Sequence, residues 1–309
     1  MKIEALARKY RIDNPEKFRL TDIEPGDTAG LALDKSEAKD MLQESIRKLA
    51  DFQDMLYAQD RWSVLAIFQA MDAAGKDGVI KHVMSGINPQ GCQVYSFKAP
   101  TSHELDHDFM WRTTIAMPER GRIGIFNRSY YEEVLVVRAH PEILAKQKLP
   151  PRLVGKEIWK ERFEDIRAFE KYQARNGTLI LKFFLHVSKQ EQGERFLERI
   201  DDPAKNWKFN MGDVAERKLW DDYMRYYEDT IRETSRGYAP WFVVPADKKW
   251  FTRLVVASAL VEAMESLDLH YPRVDDAARD ELKKARVALA AELPQKNGGK
   301  KDGKSGKGS

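Results

Sequence analysis

Cysteine is nearly absent: Cys92 is the single one in 309 residues. No internal disulfide can form, and such usage fits a reducing compartment. Absent too is any apolar run approaching the ~18 residues that a membrane-crossing helix needs. The stretch 1–11 has no continuous apolar segment of the kind that a secretory signal carries. The expectation is a soluble, cytoplasmic protein with no membrane partner. One-sided charge is also scarce. The formal net charge is +3, but residues 296–309 hold five lysines against one aspartate, while the other 295 residues hold 47 Lys and Arg against 48 Asp and Glu. The body is near neutral, so overall charge gives no reason to expect specific nucleic-acid binding. No internal repeat, no C-x-x-C and no G-x-S-x-G occurs, which removes solenoids, thiol redox pairs and the serine-hydrolase elbow.

What is present is a hydrophobic share of 42%, enough for a large core and incompatible with global disorder. Short apolar runs suited to buried parallel strands stand at 63–68, 93–97, 122–126, 178–184 and 241–244. Helical periodicity precedes the first, at 35–58. It separates the others at 78–85, 102–116, 129–138, 154–174, 189–200 and 213–234, and follows the last at 250–267. This alternation predicts a three-layer α/β/α fold around a parallel sheet of about five strands. Residues 1–36, with Pro15, Pro25 and Gly26, predict an arm lying over the body; 37–295 predict a single domain; 296–309, rich in Lys, Gly and Ser, predict a disordered tail.

The chemistry is concentrated directly after the first strand, in Ala70-Met71-Asp72-Ala73-Ala74-Gly75-Lys76-Asp77-Gly78. The spacing is that of the phosphate-binding loop G-x-x-x-x-G-K-[ST], with Ala70 in place of the first glycine and Asp77 in place of the Ser or Thr. Small residues at Ala73, Ala74, Gly75 and Gly78 let backbone N–H groups approach an anion, and the following helix directs its positive end there. Lys76 supplies a point charge for phosphoryl oxygens. Two carboxylates beside a phosphate site would repel the ligand unless a cation lies between, which makes Asp72 and Asp77 candidate Mg²⁺ ligands; helix capping is the alternative role for either, and a stronger one for Asp77 than for Asp72 inside the loop. After the third strand come Asn127-Arg128-Ser129. Arg128 is placed to offset charge on a transferring phosphoryl group, or else to form a surface ion pair. Asn127 stands where an acidic second metal element is usual, and could instead cap the next helix.

These residues resemble the family-2 polyphosphate kinases. The likeness runs through Met71–His82, Gly86–Cys92, Phe97–Thr101, His107–Arg112, Phe126–Glu132, Ser188–Gln192 and Tyr238–Trp241. The resemblance implies a P-loop, thymidylate kinase-like fold with a helical lid, expected around 145–175. It implies transfer of the terminal phosphoryl of inorganic polyphosphate to AMP or ADP with Mg²⁺, and assembly as a homodimer or homotetramer. The family's first-loop Asp, Lys and second Asp fall on Asp72, Lys76 and Asp77, and its post-strand acid and arginine on Asn127 and Arg128. Asn at the former position is similar to the class that accepts both mono- and diphosphates. Adenine nucleotides, with guanine nucleotides as a further option, are the expected acceptors. Asp108, Arg112 and Glu133 join the acceptor side.

A polyphosphate chain is a dense polyanion without bases, so Lys and Arg should hold it. Lys81, one turn beyond Gly78, and Arg195, after the fourth strand, are the favoured candidates; Arg152, Lys156, Lys160 and Arg162 are expected on the lid. His103-Glu104-Leu105-Asp106-His107 matches H-E-x-x-H, but no third ligand follows, so zinc chemistry is set aside. Two other functions stay open at this level: an ATP-dependent nucleotide kinase and a non-catalytic binding module.

Overall fold

Seven consecutive residues, Ser63–Gln69, form strand β1, and every one is buried. The strand is apolar on both faces because it lies at the centre of a sheet covered on both sides. The computed structural model describes residues 5–293. Its sheet adds β2 (Cys92–Ser96), β3 (Ile123–Asn127), β4 (Thr178–His186) and β5 (Trp241–Pro245). All pairings are parallel, in the order β2-β3-β1-β4-β5. From β1 the chain runs first to the β2–β3 side of the sheet and, after β3, crosses to β4 on the other side, so the end of β1 is the switch point at which open α/β sheets bind ligands. Register sets the site: Phe68 lies level with Asn127, and Arg128 N–H donates to Phe68 O at 3.0 Å. The segments after β1 and β3 therefore leave the sheet side by side.

Helix α1 (Lys35–Gln59) starts at Asp34, whose carboxylate accepts from Ser36 and Glu37 N–H while Glu37 reaches back to Asp34 N–H. Such a reciprocal cap is worth about 1 kcal/mol. It is followed by α2 (Lys76–Val83), α3 (Trp111–Thr114), α4 (Val136–Ala139), α5 (Pro141–Leu144), α6 (Ile158–Arg175), α7 (Lys189–Asp201), α8 (Met211–Glu216), α9 (Trp220–Thr234) and α10 (Lys249–Glu265). Helices α1, α2 and α10 form one packed group and α6 and α9 another. The N-terminal segment is held by Leu6, Ala7 and Tyr10, all buried, and Ile12 N–H donates to Trp241 O at 2.9 Å, covering the outer edge of β5.

Three helices expected as continuous are divided. Within 102–116 only Glu104–Asp106, as a 3-10 turn, and α3 are helical. Thr101 and Glu104 cap one another, and the Asp108 carboxylate accepts from Met110 N–H, so side chains restart the chain twice. The stretch 129–138 becomes a 3-10 turn, Tyr130–Val134, followed by α4. The helix expected over 213–234 is interrupted by a 3-10 turn at Arg217–Leu219.

The chain divides into two units, Met1–His270 and Tyr271–Ser309. The second contains α11 (Asp276–Glu292), which no sequence expectation covered; Asp275 caps it by accepting from Ala278 N–H. The expected Lys/Gly tail at 296–309 lies outside the described residues. No helix among the described residues is long and apolar enough to cross a membrane.

Candidate active site

Between β1 and α2 the chain turns through 70–75 with two residues in the left-handed region, Ala73 at φ 59° and Gly75 at φ 105°. Glycine adopts that geometry freely; the Ala73 side chain costs about 1 kcal/mol or more there. The turn closes through Ala74 N–H on Met71 O at 3.3 Å. Lys76 opens α2, and its Nζ donates to Ala70 O at 2.8 Å, so the ammonium lies across its own loop. Burial lowers its pKa against the opposing pull of Asp72, with Arg128 adding to the lowering and Glu132 and Asp77 resisting it.

The acidic and basic groups around this turn are cross-linked. Arg128, itself left-handed at φ 65°, donates through Nη2 to Asp72 Oδ1 at 3.0 Å. Burial works against its charge, yet Glu132 and Asp72 outweigh it and hold the guanidinium above its ordinary pKa. Asn127 Nδ2 donates to Asp77 Oδ1 at 2.7 Å. Gln69, the last residue of β1, donates to Glu132 Oε1 at 2.9 Å.

A cavity of about 440 Å³ opens against this cluster, a size suited to a small ligand. Met71, Asp72 and Arg128 line it, whereas Lys76 does not reach its wall. Asp108 and Arg112 line it, and Arg112 donates to Lys98 O at 2.7 Å. Glu133 lines it as well. Burial raises its carboxyl above the usual carboxylate range, opposed by Arg162, whose Nε stands 3.3 Å away. Gln147 donates to Glu133 Oε2 at 2.8 Å, and Arg162 stacks over Phe109 at 4.2 Å. The segment expected to be a lid divides accordingly. Ile143, Lys146 and Gln147 edge the cavity, while α6 is embedded through Phe163, Ile166 and Glu170.

The remaining expected residues scatter. Lys81 is exposed on α2. Arg195 is buried on α7, and its guanidinium meets backbone carbonyls of the phosphate loop rather than an open rim. His107 stacks on Trp111 and His103 meets both rings edge-on, and the described residues contain no group of three His, Cys, Asp or Glu suited to a metal.

Two features escaped the sequence. Gln192 donates to Asp72 O at 2.9 Å from α7. Deeper, Lys182 and Glu170 form a fully buried ion pair at 2.7 Å. Glu170 Oε1 accepts from both Tyr130 and Tyr131 hydroxyls, and Lys182 also donates to Tyr131 Oη and Thr234 O. A lysine inside the apolar run Leu181-Lys182-Phe183 was the available signal, since a buried charge requires a partner.

The comparisons with known proteins identify the family. The family model described as polyphosphate kinase 2 matches residues 32–272. The ADP-polyphosphate phosphotransferase of Rhodopseudomonas palustris is 51% identical over 94% of this chain and 99% of its own. The AMP/ADP-polyphosphate phosphotransferase of Meiothermus ruber is 45% identical over 88% and 97%. The crystal structure of polyphosphate kinase 2 from Arthrobacter aurescens superposes with a TM-score of 0.83 at 38% identity, over 93% of this chain and 97% of that one. A parallel five-stranded α/β fold, a phosphate loop at its switch point and these matches lead to one conclusion: the chain belongs to the polyphosphate kinase 2 family.

Proposed function

We propose that this protein transfers the terminal phosphoryl group of inorganic polyphosphate directly to AMP or ADP. The observation that carries this reading is a shared wall: Asp72, in the phosphate loop, and Arg128, bonded to it, both line the nucleotide-sized cavity. A donor chain gripped at the loop and an acceptor seated in the cavity would meet at Arg128. An oxygen of the acceptor's terminal phosphate bonds to the donor's end phosphorus, and the bridging oxygen departs with the shortened chain. No protein nucleophile is needed; the work is alignment and charge compensation. Lys76 and Arg128 supply the compensation, with Asp108, Arg112 and Glu133 on the acceptor side.

The donor set suits Mg²⁺, which prefers one or two carboxylates, phosphate oxygens and retained waters to an all-protein cage. Asp72 and Asp77 would hold it, and bound there it would neutralise the facing phosphates. Asn127, uncharged and donating to Asp77, supports second-sphere orientation of that carboxylate and acceptance of both mono- and diphosphates. Closure of 141–153 over the cavity would exclude water and suppress hydrolysis. Assembly as a homodimer or homotetramer is part of the same reading.

The test is donor exchange: purified protein with Mg²⁺, AMP or ADP, and either polyphosphate or ATP, with nucleotides resolved after incubation. Phosphorylated nucleotide with polyphosphate as sole donor supports the proposal. Turnover of ATP with AMP alone would make the protein an ordinary nucleotide kinase, and retention of ligands without turnover would make it a binding module.

A further inference from the structure

We propose that Arg195 and Gln192, backed by Arg217, are positioning residues that hold the phosphate loop in its anion-binding shape from behind. The inference rests on the function proposed above and names residues that act on the substrate only through the loop.

Helix α7 begins at Ser188, which caps Glu191 N–H and whose own N–H donates to Asp247 Oδ1. Gln192 and Arg195 are three apart and share one face of it. Both are buried, at 1% and 6% exposure. Gln192 Nε2 donates to Asp72 O at 2.9 Å. Arg195 Nη1 donates to Ala73 O at 3.1 Å and Ala74 O at 2.7 Å. Three successive carbonyls of the loop are thus drawn toward α7. In a planar trans peptide the N–H points opposite to the C=O; Ala74 N–H closes the turn on Met71 O, which leaves the N–H groups of Ala73 and Gly75 turned away from α7, the orientation that an anion cradle requires.

The rest of the guanidinium is also committed. Nη2 donates to Ala246 O at 2.6 Å and Asp247 O at 3.3 Å, and Nε to Glu191 Oε1 at 2.7 Å. Five N–H groups meet five acceptors, which leaves no donor for a substrate phosphate. Lysine, with a single nitrogen and three donors, cannot reproduce this fork. The clamp also has a local reason to exist: it spans the left-handed Ala73 and Gly75, conformations that persist only where the surroundings hold them. Arg217 extends it outward by donating to Gln192 Oε1 at 2.7 Å and Lys189 O at 2.9 Å.

The experiment compares Arg195→Met, Arg195→Lys, Gln192→Leu and Arg217→Met with the wild type. It measures kcat and KM for each substrate, and titrates tripolyphosphate and AMP separately by calorimetry. The expected losses in kcat/KM for polyphosphate rank Arg195→Met above Gln192→Leu above Arg217→Met, with about 100-fold for the first and about 10-fold for the second. Arg195→Lys recovers part of the loss, tripolyphosphate affinity falls in parallel, and AMP affinity stays within about 2-fold. If Arg195→Met fails to fold, the Gln192 and Arg217 variants carry the comparison. Folded variants with unchanged polyphosphate kinetics, or with AMP and tripolyphosphate binding reduced equally, would overturn the proposal. A wild type inactive with polyphosphate would instead reject the underlying function, a result visible before any variant is made.

Discussion

The Asn127 side-chain amide donates to the Asp77 carboxylate across 2.7 Å, tying the end of β3 to the first turn of the helix after the phosphate loop. Replacing the amide by a carboxylate places two like charges in contact, which is tolerated only with a cation between them. Asn127→Asp should therefore lose about 1 kcal/mol of stability in EDTA and regain more from Mg²⁺ than the wild type does. Its AMP-to-ADP rate ratio should fall. Thermal melts with and without Mg²⁺, beside rates on both acceptors, check this; an unchanged ratio and equal magnesium responses would remove Asn127 from acceptor choice.

Lys76 gives a sharper expectation. Its ammonium is disfavoured by burial and lies on Ala70 O, so methionine relieves a desolvation cost while deleting the charge proposed to compensate the phosphates. Lys76→Met should keep the wild-type melting temperature or exceed it, while kcat falls about 1000-fold. A fall in kcat accompanied by a collapse in stability would instead indicate a structural role.

The buried Lys182–Glu170 pair supports Tyr130 and Tyr131, two and three residues beyond Arg128. Removing either partner alone, by Lys182→Met or Glu170→Gln, leaves an uncompensated polar group and should cost about 3–5 kcal/mol. Lys182→Met combined with Glu170→Leu should recover most of that stability but less of the activity, because the tyrosine hydroxyls lose their shared acceptor. Denaturant unfolding and kcat on the same three variants test the split, and additive losses would contradict it.

How far the site was legible follows from these residues. The strand 63–68, the small-residue turn and Lys76 announced themselves because both faces of β1 are buried and the loop chemistry is local in sequence. Arg195 was placed at the right end of the sheet but on the wrong partner, since nothing in a sequence distinguishes an arginine bound for phosphate from one bound for backbone carbonyls. The helix expected over 102–116 failed because Thr101, Glu104 and Asp108 bond the backbone beside them. That over 129–138 failed because Ser129 caps Tyr131 N–H, and the two tyrosines are drawn to Glu170, about forty residues away. Glu133 and Gln147 meet only through folding of the cavity wall.

His186, at the end of β4, supplies a pH test of stability. Burial pushes its imidazole down to about 4 from 6.5, and Nδ1 has no hydrogen-bond partner. The unfolded chain binds the proton more readily, so the contribution is intact above about 6.5 and is lost as pH falls toward 4. The loss approaches about 3 kcal/mol. Urea unfolding of the wild type and His186→Leu at pH 7 and pH 4.5 isolates it, because the carboxylates titrate alike in both. Parallel pH dependences would contradict the assignment.

Direct transfer beside the Asp72–Arg128 pair is most plainly tested in a single turnover with polyphosphate labelled in its terminal phosphoryl group, excess enzyme, Mg²⁺ and AMP, quenched over time. The label should pass from polyphosphate to ADP at a rate that Arg128→Met lowers about 1000-fold, with none retained on protein and little released as inorganic phosphate. Label appearing first on the protein, or chiefly as free phosphate in the wild type, would contradict the account.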